Sequence, residues 1–198
     1  DDTIDVPRVV RHIRERMIRE NPAFRFRTLD MSRYDETAER CRQLFNLGWE
    51  DNWGHEHFTK RQFKELADKL KPIIEPELVL LAEDGDTLIG MVITVPDVNP
   101  VLKKLNGRLF PFGIVKLLRG IKKVDGLRLY VMGVHPDYRM KGIETYFYTE
   151  LYDTAIRLGY RYADMSVVVE SNDKLIKALD NHMDRYKVYR MYTKRIDD

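Results

Sequence analysis

The chain has 198 residues, 43% hydrophobic and 33% charged, which suffices for the core of one ordinary domain and is marginal for two. Its 34 basic and 32 acidic residues leave a net charge of +2, so there is no global electrostatic case for nucleic-acid binding. The single cysteine, Cys41, excludes an internal disulfide and a cysteine-based metal cluster. No apolar run approaches the roughly 20 residues of a membrane span. We therefore expect a soluble, cytoplasmic protein without a metal site.

The first residues predict an amphipathic helix. Pro7 suits a first helical position, and apolar residues recur at helical spacing as far as Glu20. The opposite face carries Arg8, Arg11, Arg14, Arg16 and Arg19. A solvated face is the simple interpretation, and a contact with an acidic partner or RNA is the alternative. Because the chain opens at Asp1, we expect residues 1–22 to link to an upstream region and residues 23–198 to form the main domain.

The middle of the chain predicts short strands and amphipathic helices. Residues 24–29 alternate like a strand, Ser32 caps a helix to about residue 47, and Thr59 starts a second helix that Pro72 ends. Residues 78–82 and 88–95 flank a turn that contains Gly85, which predicts a β-hairpin. Two short helices are expected between residues 98 and 123.

The last third predicts alternating strands and helices. Strands are expected at residues 127–134, 163–169 and 185–195, with helices at 142–158 and 172–181 between them. The final strand is predicted from the alternation of Tyr186, Tyr189 and Tyr192. The whole order favours one mixed α/β domain.

A basic, glycine-containing loop at residues 135–142 joins a predicted strand to a long predicted helix. Such a junction points backbone N–H groups and the positive end of the helix dipole at one spot, which is how proteins hold a phosphate or pyrophosphate. Taken alone, a structural turn explains the loop nearly as well.

This stretch resembles the acetyl-CoA motif of the GNAT superfamily of N-acetyltransferases. The matching residues are Val134, Pro136, Tyr138, Arg139, Gly142 and Ile143. The match continues through the end of the helix at Leu158 and the next strand to Asn172, about seventy residues in all.

The resemblance implies a GNAT fold of the α+β mixed type: a mostly antiparallel, splayed sheet of about six to seven strands flanked by helices. It implies that acetyl-CoA, or another acyl-CoA, lies between strands 127–134 and 163–169 as co-substrate. The residues implied to bind it are Met132, Gly133, Val134, Arg139, Met140, Lys141, Gly142, Ile143, Glu144 and Asn172.

Three features depart from the family pattern. Glu144 stands where glycine or alanine is usual, and its carboxylate would repel a pyrophosphate unless it turned outward. Leu179 occupies the position of the usual tyrosine general acid, and the strand at 127–134 has no carboxylate to act as base. Tyr130 and Tyr186 remain as tyrosine candidates, with packing as the alternative for Tyr186.

Candidates for binding the acceptor amine and for the general base lie instead in the segment between the helix that ends near residue 47 and the helix that Thr59 starts. Glu50, Asp51 and His55 there lie beside Trp49 and Trp53, a composition suited to a cationic amine. The alternative is that the tryptophans only pin a loop to the core. The basic and apolar segment 98–123 is interpreted as a lid over the acceptor cleft, with an interface or a membrane-surface helix as alternatives.

The function that these features favour is transfer of an acetyl or other acyl group from acyl-CoA to a small-molecule or peptide amine. A catalytically inactive GNAT-like domain that binds a ligand or protein is the alternative. A nucleic-acid partner is not expected. A homodimer through an exposed last strand is consistent with the aromatic pattern.

Overall fold

A computed structural model describes residues 6–50, 52, 54–105, 113–121, 123–165, 167, 168, 170, 172, 176, 177, 184–190 and 192. The chain forms two compact units, Asp1–Met165 and Ser166–Asp198. All of the regular strands and helices considered below lie in the first unit.

The first unit contains six α-helices and five β-strands among its described residues. The helices are α1 (Arg8–Glu20), α2 (Tyr34–Gly48), α3 (Lys60–Leu70), α4 (Asn99–Leu105), α5 (Gly113–Ile121) and α6 (Ile143–Arg157). The strands are β1 (Phe24–Thr28), β2 (Val79–Asp84), β3 (Thr87–Pro96), β4 (Gly126–Val134) and β5 (Tyr162–Asp164). Short 3₁₀ turns precede α2, β2 and α6.

The five strands form one sheet in chain order, from β1 at one edge to β5 at the other. The first three pairings are antiparallel, and β4 and β5 are parallel because α6 crosses between them. Apolar residues fill β2 and most of β3, since helices cover both faces of these central strands.

The helices divide into two layers. On one face α6 packs Ile143, Phe147 and Leu151 against a cluster that includes Leu80 and Val92. On the other face α2 and α3 bury Cys41, Leu44 and Phe63 against β2 and β3. Gly90 allows α6 to approach the sheet, because a Cβ there would lie 3.0 Å from Cγ2 of Ile143.

Helix α1 lies along α6. Arg11 donates hydrogen bonds of 2.9 and 3.0 Å to the Asp153 carboxylate, and Arg14 bonds Glu150 at 2.6 Å. Met17 is 3% exposed beneath the start of α6. Two of the five arginines predicted to form a solvated face therefore pair with α6, because acidic residues of α6 face α1.

The mixed α/β fold is confirmed, with fewer strands than the expected six to seven: five are present among the described residues. The predicted strand 163–169 is assigned as a strand only at Tyr162–Asp164. The predicted helix 172–181 lies mostly outside the described residues. The predicted strand 185–195 is described at residues 185–190 and 192, and none of these residues forms a strand. Tyr186, Tyr189 and Tyr192 are each at least 65% exposed, so their alternation buries no face.

Candidate functional site

Strand β4 has one edge that β5 covers only at its beginning. β5 pairs with Gly126, Leu127 and Arg128, and no β5 pairing is described beyond them. On the other edge, β4 remains paired with β3 as far as Val134. The outward backbone groups of residues 130–134 are therefore suitably placed to pair with an extended ligand, as a sheet edge pairs with an added strand.

A β-bulge marks the point where β4 leaves β5. Ile93 of β3 pairs with Val131 and Thr94 pairs with Leu129, which leaves Tyr130 as the extra residue. The Tyr130 side chain is 45% exposed. The bulge changes the direction of β4 and presents a phenol at the start of the open edge.

The turn between β4 and α6 exposes the first amides of the helix. Met140 and Gly142 have positive φ values of 64° and 88°, and no side chain caps α6. Backbone N–H groups in a first turn have no intrahelical partner, so this end of α6 can receive an anion. Arg139 and Lys141 are exposed beside it, Glu144 is half-buried, and Ile143 is fully buried.

Two contacts hold this turn in place. The Tyr138 hydroxyl donates a hydrogen bond of 3.0 Å to Oδ2 of Asp84 at the end of β2, and this bond raises the pKa of Tyr138. Nζ of Lys141 lies 4.5 Å from the centre of the Tyr138 ring, a distance typical of a cation–π contact. The turn is thereby fixed to the β2–β3 hairpin.

The loop between α2 and α3, residues 49–59, is closed at its base by Asn46. Oδ1 of Asn46 accepts from the Phe58 N–H at 2.9 Å, and its Nδ2 donates to the Phe58 carbonyl at 3.0 Å. Arg42 also donates to that carbonyl at 3.0 Å. The Asn46 side chain thus makes the pair of hydrogen bonds that another backbone segment would otherwise make with Phe58. These bonds hold the two ends of the α2–α3 loop close together.

The α2–α3 loop contacts both β4 and the turn before α6. Trp49 stacks on Phe45 with ring centres 4.5 Å apart and covers Gly133, where a Cβ would lie 2.4 Å from Cζ3 of the indole. Arg139 donates a hydrogen bond of 2.8 Å to the Gly48 carbonyl at the end of α2. The predicted acceptor segment and the predicted cofactor segment are therefore neighbours.

His55 has a buried nitrogen without a hydrogen-bond partner. Its ring is half-buried, with its centre 5.6 Å from that of Phe45, and Nε2 has no partner among the described residues. A buried imidazole nitrogen in this state can accept or donate a proton when a polar ligand reaches it. Glu50 is exposed, and the predicted residues Asp51 and Trp53 lie outside the described residues.

The structure thus brings together most of the residues that the sequence singled out. Met132, Gly133 and Val134 end β4, residues 139–144 form the turn, and the α2–α3 loop adjoins both. Asn172 and Tyr186 belong to the second unit, Ser166–Asp198, so their predicted roles stay predictions. The sequence did not reveal the Asn46 bonds to Phe58 or the Trp49–Gly133 contact, although a glycine inside a strand signals a close approach.

The described residues contain neither a helix suited to span a membrane nor a group of side chains arranged to bind a metal ion. No helix in the described ranges has the length and apolar character needed to cross a bilayer. No group of three or more His, Cys, Asp or Glu residues is arranged to hold a metal ion in the same part of the chain.

The chain is similar in sequence to two bacterial proteins. Bacterial ceramide synthase of Caulobacter vibrioides is 32% identical over 203 residues, which cover 99% of this chain and 52% of the relative. Protein YghO of Escherichia coli is 32% identical over 178 residues, with 86% of this chain and 45% of the relative covered. The chain spans about half the length of the curated relatives it matches.

Solved structures show the same fold at low identity. An aminoglycoside acetyltransferase from an uncultured soil metagenomic sample, in complex with sisomicin, has a TM-score of 0.56 and 10% identity, with 88% of this chain and 99% of that chain covered. AAC(6')-Iy in complex with a CoA bisubstrate analogue has a TM-score of 0.51 and 15% identity, with coverages of 87% and 98%. The model of the acetyltransferase (GNAT) family matches residues 38–182, and the chain belongs to that family.

Proposed function

We propose that this chain is an N-acyltransferase that moves an acyl group from acyl-CoA to an amine. The observation that carries the proposal is the open edge of β4, which ends at an uncapped helix start with two positive-φ residues before it. An acyl-CoA has a linear, amide-containing pantetheine followed by a diphosphate, so its shape matches a free strand edge followed by an anion site.

Each part of the co-substrate has a proposed partner. Backbone groups of Met132, Gly133 and Val134 pair with the pantetheine amides, and the amides of residues 142–144 receive the diphosphate. Arg139 and Lys141 add positive charge. Asn172 is the remaining proposed contact, on the resemblance alone.

The chemistry requires a neutral amine. Its nitrogen attacks the thioester carbon, the carbon–sulfur bond breaks, the nitrogen loses a proton to a base, and the thiolate sulfur takes a proton. We assign the base to the α2–α3 loop, where His55 has the unpartnered Nε2 and Glu50 and Asp51 supply negative charge for an ammonium. Tyr130 at the bulge is the proposed acid, with Tyr186 as the alternative.

The choice of acceptor rests on the relatives. The name of the Caulobacter relative denotes synthesis of a ceramide, an amide between a fatty acyl group and a long-chain amino alcohol. Aminoglycoside and ribosomal-protein acetyltransferases share only the fold. We therefore place a long-chain amino alcohol first among acceptors and a fatty acyl-CoA beside acetyl-CoA among donors.

The test is release of free CoA thiol from acetyl-CoA and palmitoyl-CoA with a panel of amines. The panel contains a long-chain amino alcohol, an aminoglycoside and a peptide with an N-terminal alanine. His55→Ala should lower kcat more than about a hundredfold if His55 is the base, whereas Glu65→Gln, an exposed change on α3, should not. Equal rates in both variants would remove His55 from the mechanism.

Calorimetry separates the enzyme from an inactive binding domain. Arg139→Gln should weaken binding of acetyl-CoA by about tenfold or more, because bonds to charged groups contribute roughly 1.5–3 kcal/mol. Failure of the wild type to bind, with binding gained by Glu144→Gly, would indicate a GNAT domain whose donor site is closed, and would favour the ligand- or partner-binding alternative. Cytoplasmic location and a homodimer stay predictions.

A further inference from the structure

The segment between Asp97 and Asp125 has an unusual charge content. It contains seven Lys and Arg residues and no Asp or Glu, although acidic residues nearly balance basic ones over the whole chain. Helices α4 and α5 both lie in this segment, which joins the end of β3 to the start of β4. We call α4 and α5 together the basic hairpin.

The basic hairpin uses one side for its own packing. Val101 of α4 contacts Gly120 of α5 so closely that a Cβ on Gly120 would lie 2.5 Å from Cγ1 of Val101. The other side exposes apolar residues: Leu102 is 42% exposed and Val115 is 47% exposed. Arg119 lies one helical turn after Val115 on the same face of α5.

The described cations of the basic hairpin are exposed and have no acidic residue beside them in α4 or α5. Lys103, Lys104 and Arg119 make no ion pair with another described residue. Elsewhere in the first unit, some basic residues pair with carboxylates, such as Arg11 and Arg27, and others are exposed without an ion pair to another described residue, such as Arg61 and Lys69. Exposed apolar side chains and uncompensated cations on the same short helices are the composition of an interfacial helix.

A cavity lies at the base of the hairpin. It has a volume of about 350 Å³, and its lining includes the apolar residues Leu105 and Val124, the phenol of Tyr162, and the charged residues Lys104, Lys123 and Asp125. The size falls at the lower end of the usual range for small-molecule sites. The walls are largely apolar, with two cations and one carboxylate among them, which suits an alkyl chain that carries a polar head.

We propose that the basic hairpin docks on the surface of a bilayer that contains anionic phospholipid. Each Lys or Arg near such a surface is attracted to the anionic headgroups, and Leu102 and Val115 supply apolar contact with the acyl region. A nucleic acid would use the cations but leave both aliphatic residues in water, so the bilayer is the better fit. Docking does not depend on the proposed acyl transfer. If both hold, the acceptor amine is a membrane lipid that arrives beside the start of β4.

Vesicle flotation tests the docking without acyl-CoA or amine, so its failure is distinct from failure of the acyl-transfer proposal. The whole chain is mixed with phosphatidylcholine vesicles that either contain or lack phosphatidylglycerol. Binding should require phosphatidylglycerol and should fall as salt rises. K103E/R119E should weaken it more than about tenfold. R61E/K69E, which makes the same change of charge on exposed positions of α3, should weaken it much less, because α3 has no large exposed apolar residue beside these cations among its described residues.

A site-specific label reports insertion directly. Cys41 is 3% exposed, so an environment-sensitive dye can be attached selectively to a new cysteine in L102C or, as the control, in E65C on the exposed face of α3. Anionic vesicles should shift the emission of the L102C label to shorter wavelength and leave the E65C label unchanged. The label readout also stands on its own if K103E/R119E does not fold, which circular dichroism would reveal.

Three results would overturn the proposal. They are equal flotation with neutral and anionic vesicles, equal loss in the two charge variants, and an L102C label that vesicles do not affect. Binding of a single-stranded RNA oligonucleotide that anionic vesicles fail to compete would instead assign the surface to nucleic acid.

Discussion

Backbone conformation at single residues shapes the turn that precedes α6. Gly142 adopts a φ of 88°, and Met140, which has a side chain, adopts a φ of 64°. A left-handed conformation costs a non-glycine residue roughly 1–2 kcal/mol, and such strain is common where a structure must present its backbone to a ligand. Met140 is 85% exposed, so packing of its side chain does not offset the cost.

Gly142→Ala should destabilise the protein by about 1–3 kcal/mol, because strain at this φ adds to crowding of the new Cβ against Met17 at 3.2 Å. Gly159→Ala is the matched control: its φ is 83°, and nothing lies within 4 Å of an added Cβ. Urea unfolding of Gly159→Ala measures the cost of the positive φ alone, and that of Gly142→Ala measures this cost together with the crowding against Met17. Equal losses would mean that contact with Met17 contributes nothing at Gly142.

At the scale of elements, the α2–α3 loop depends on a side chain outside it. Asn46 holds Phe58 through both of its amide atoms, while the loop itself contacts β4 through Trp49. The position of the loop is therefore set at two places: Asn46 holds its end at Phe58, and Trp49, its first residue, holds it against β4. Neither contact is local in sequence, which is why the loop could be located by its composition but not oriented.

Asn46→Ala should open the base of the loop. The loss of two hydrogen bonds to backbone atoms is expected to cost about 1–3 kcal/mol locally and to speed amide hydrogen exchange in residues 49–58 more than in β2 and β3. Gln43→Ala, on the same helix but bonded only to Glu39 at 3.2 Å, is the control. Exchange that is unchanged in Asn46→Ala would show that Trp49 alone holds the loop.

The pairing of α1 with α6 predicts a pH dependence. The hydrogen bonds from Arg11 lower the pKa of Asp153 in the folded state, with burial acting in the opposite direction. A carboxylate with a lowered pKa stabilises the fold above its unfolded pKa of about 3.9, and this contribution disappears as pH falls through the folded pKa.

Asp153→Asn should therefore reduce stability near neutral pH and flatten its decline below about pH 4. Thermal unfolding at a series of pH values gives both effects, with Glu65→Gln as an exposed acidic control. If stability fell equally steeply below about pH 4 in Asp153→Asn and in the wild type, the Arg11–Asp153 pair would have no role in the acid sensitivity.

For the whole molecule, the buried cysteine offers a probe of global opening. Cys41 packs between α2 and the sheet, and burial raises the pKa of its thiol to about 12. Since the thiolate is the reactive form, labelling of native protein requires unfolding of this core. The logarithm of the labelling rate at pH 8 should fall in proportion to the free energy of unfolding, and the rate should rise in Gly142→Ala. Fast labelling of the native wild type would show that the core opens locally.

The sequence predicted α1, α2, α3, α6 and the β2–β3 hairpin well, because periodic apolar residues and the turn at Gly85 are local signals. It also placed the turn before α6 correctly, since Arg139 and Gly142 lie only three residues apart in one motif. The extent of β5 and the region after it were less predictable. Tyr186, Tyr189 and Tyr192 are three residues apart, which does not match the two-residue period of a strand, and all three are exposed. The contact of Trp49 with Gly133 joins segments that no sequence pattern connects.

The packing of Met17 against Gly142 has a consequence for folding during synthesis. Helix α1 is synthesised before α6, yet Arg11 pairs with Asp153, 142 residues later in the chain. During synthesis the apolar face of α1 therefore stays uncovered until α6 has been made. The turn before α6 packs on Met17 only when these two helices meet, so the proposed donor site forms late in folding.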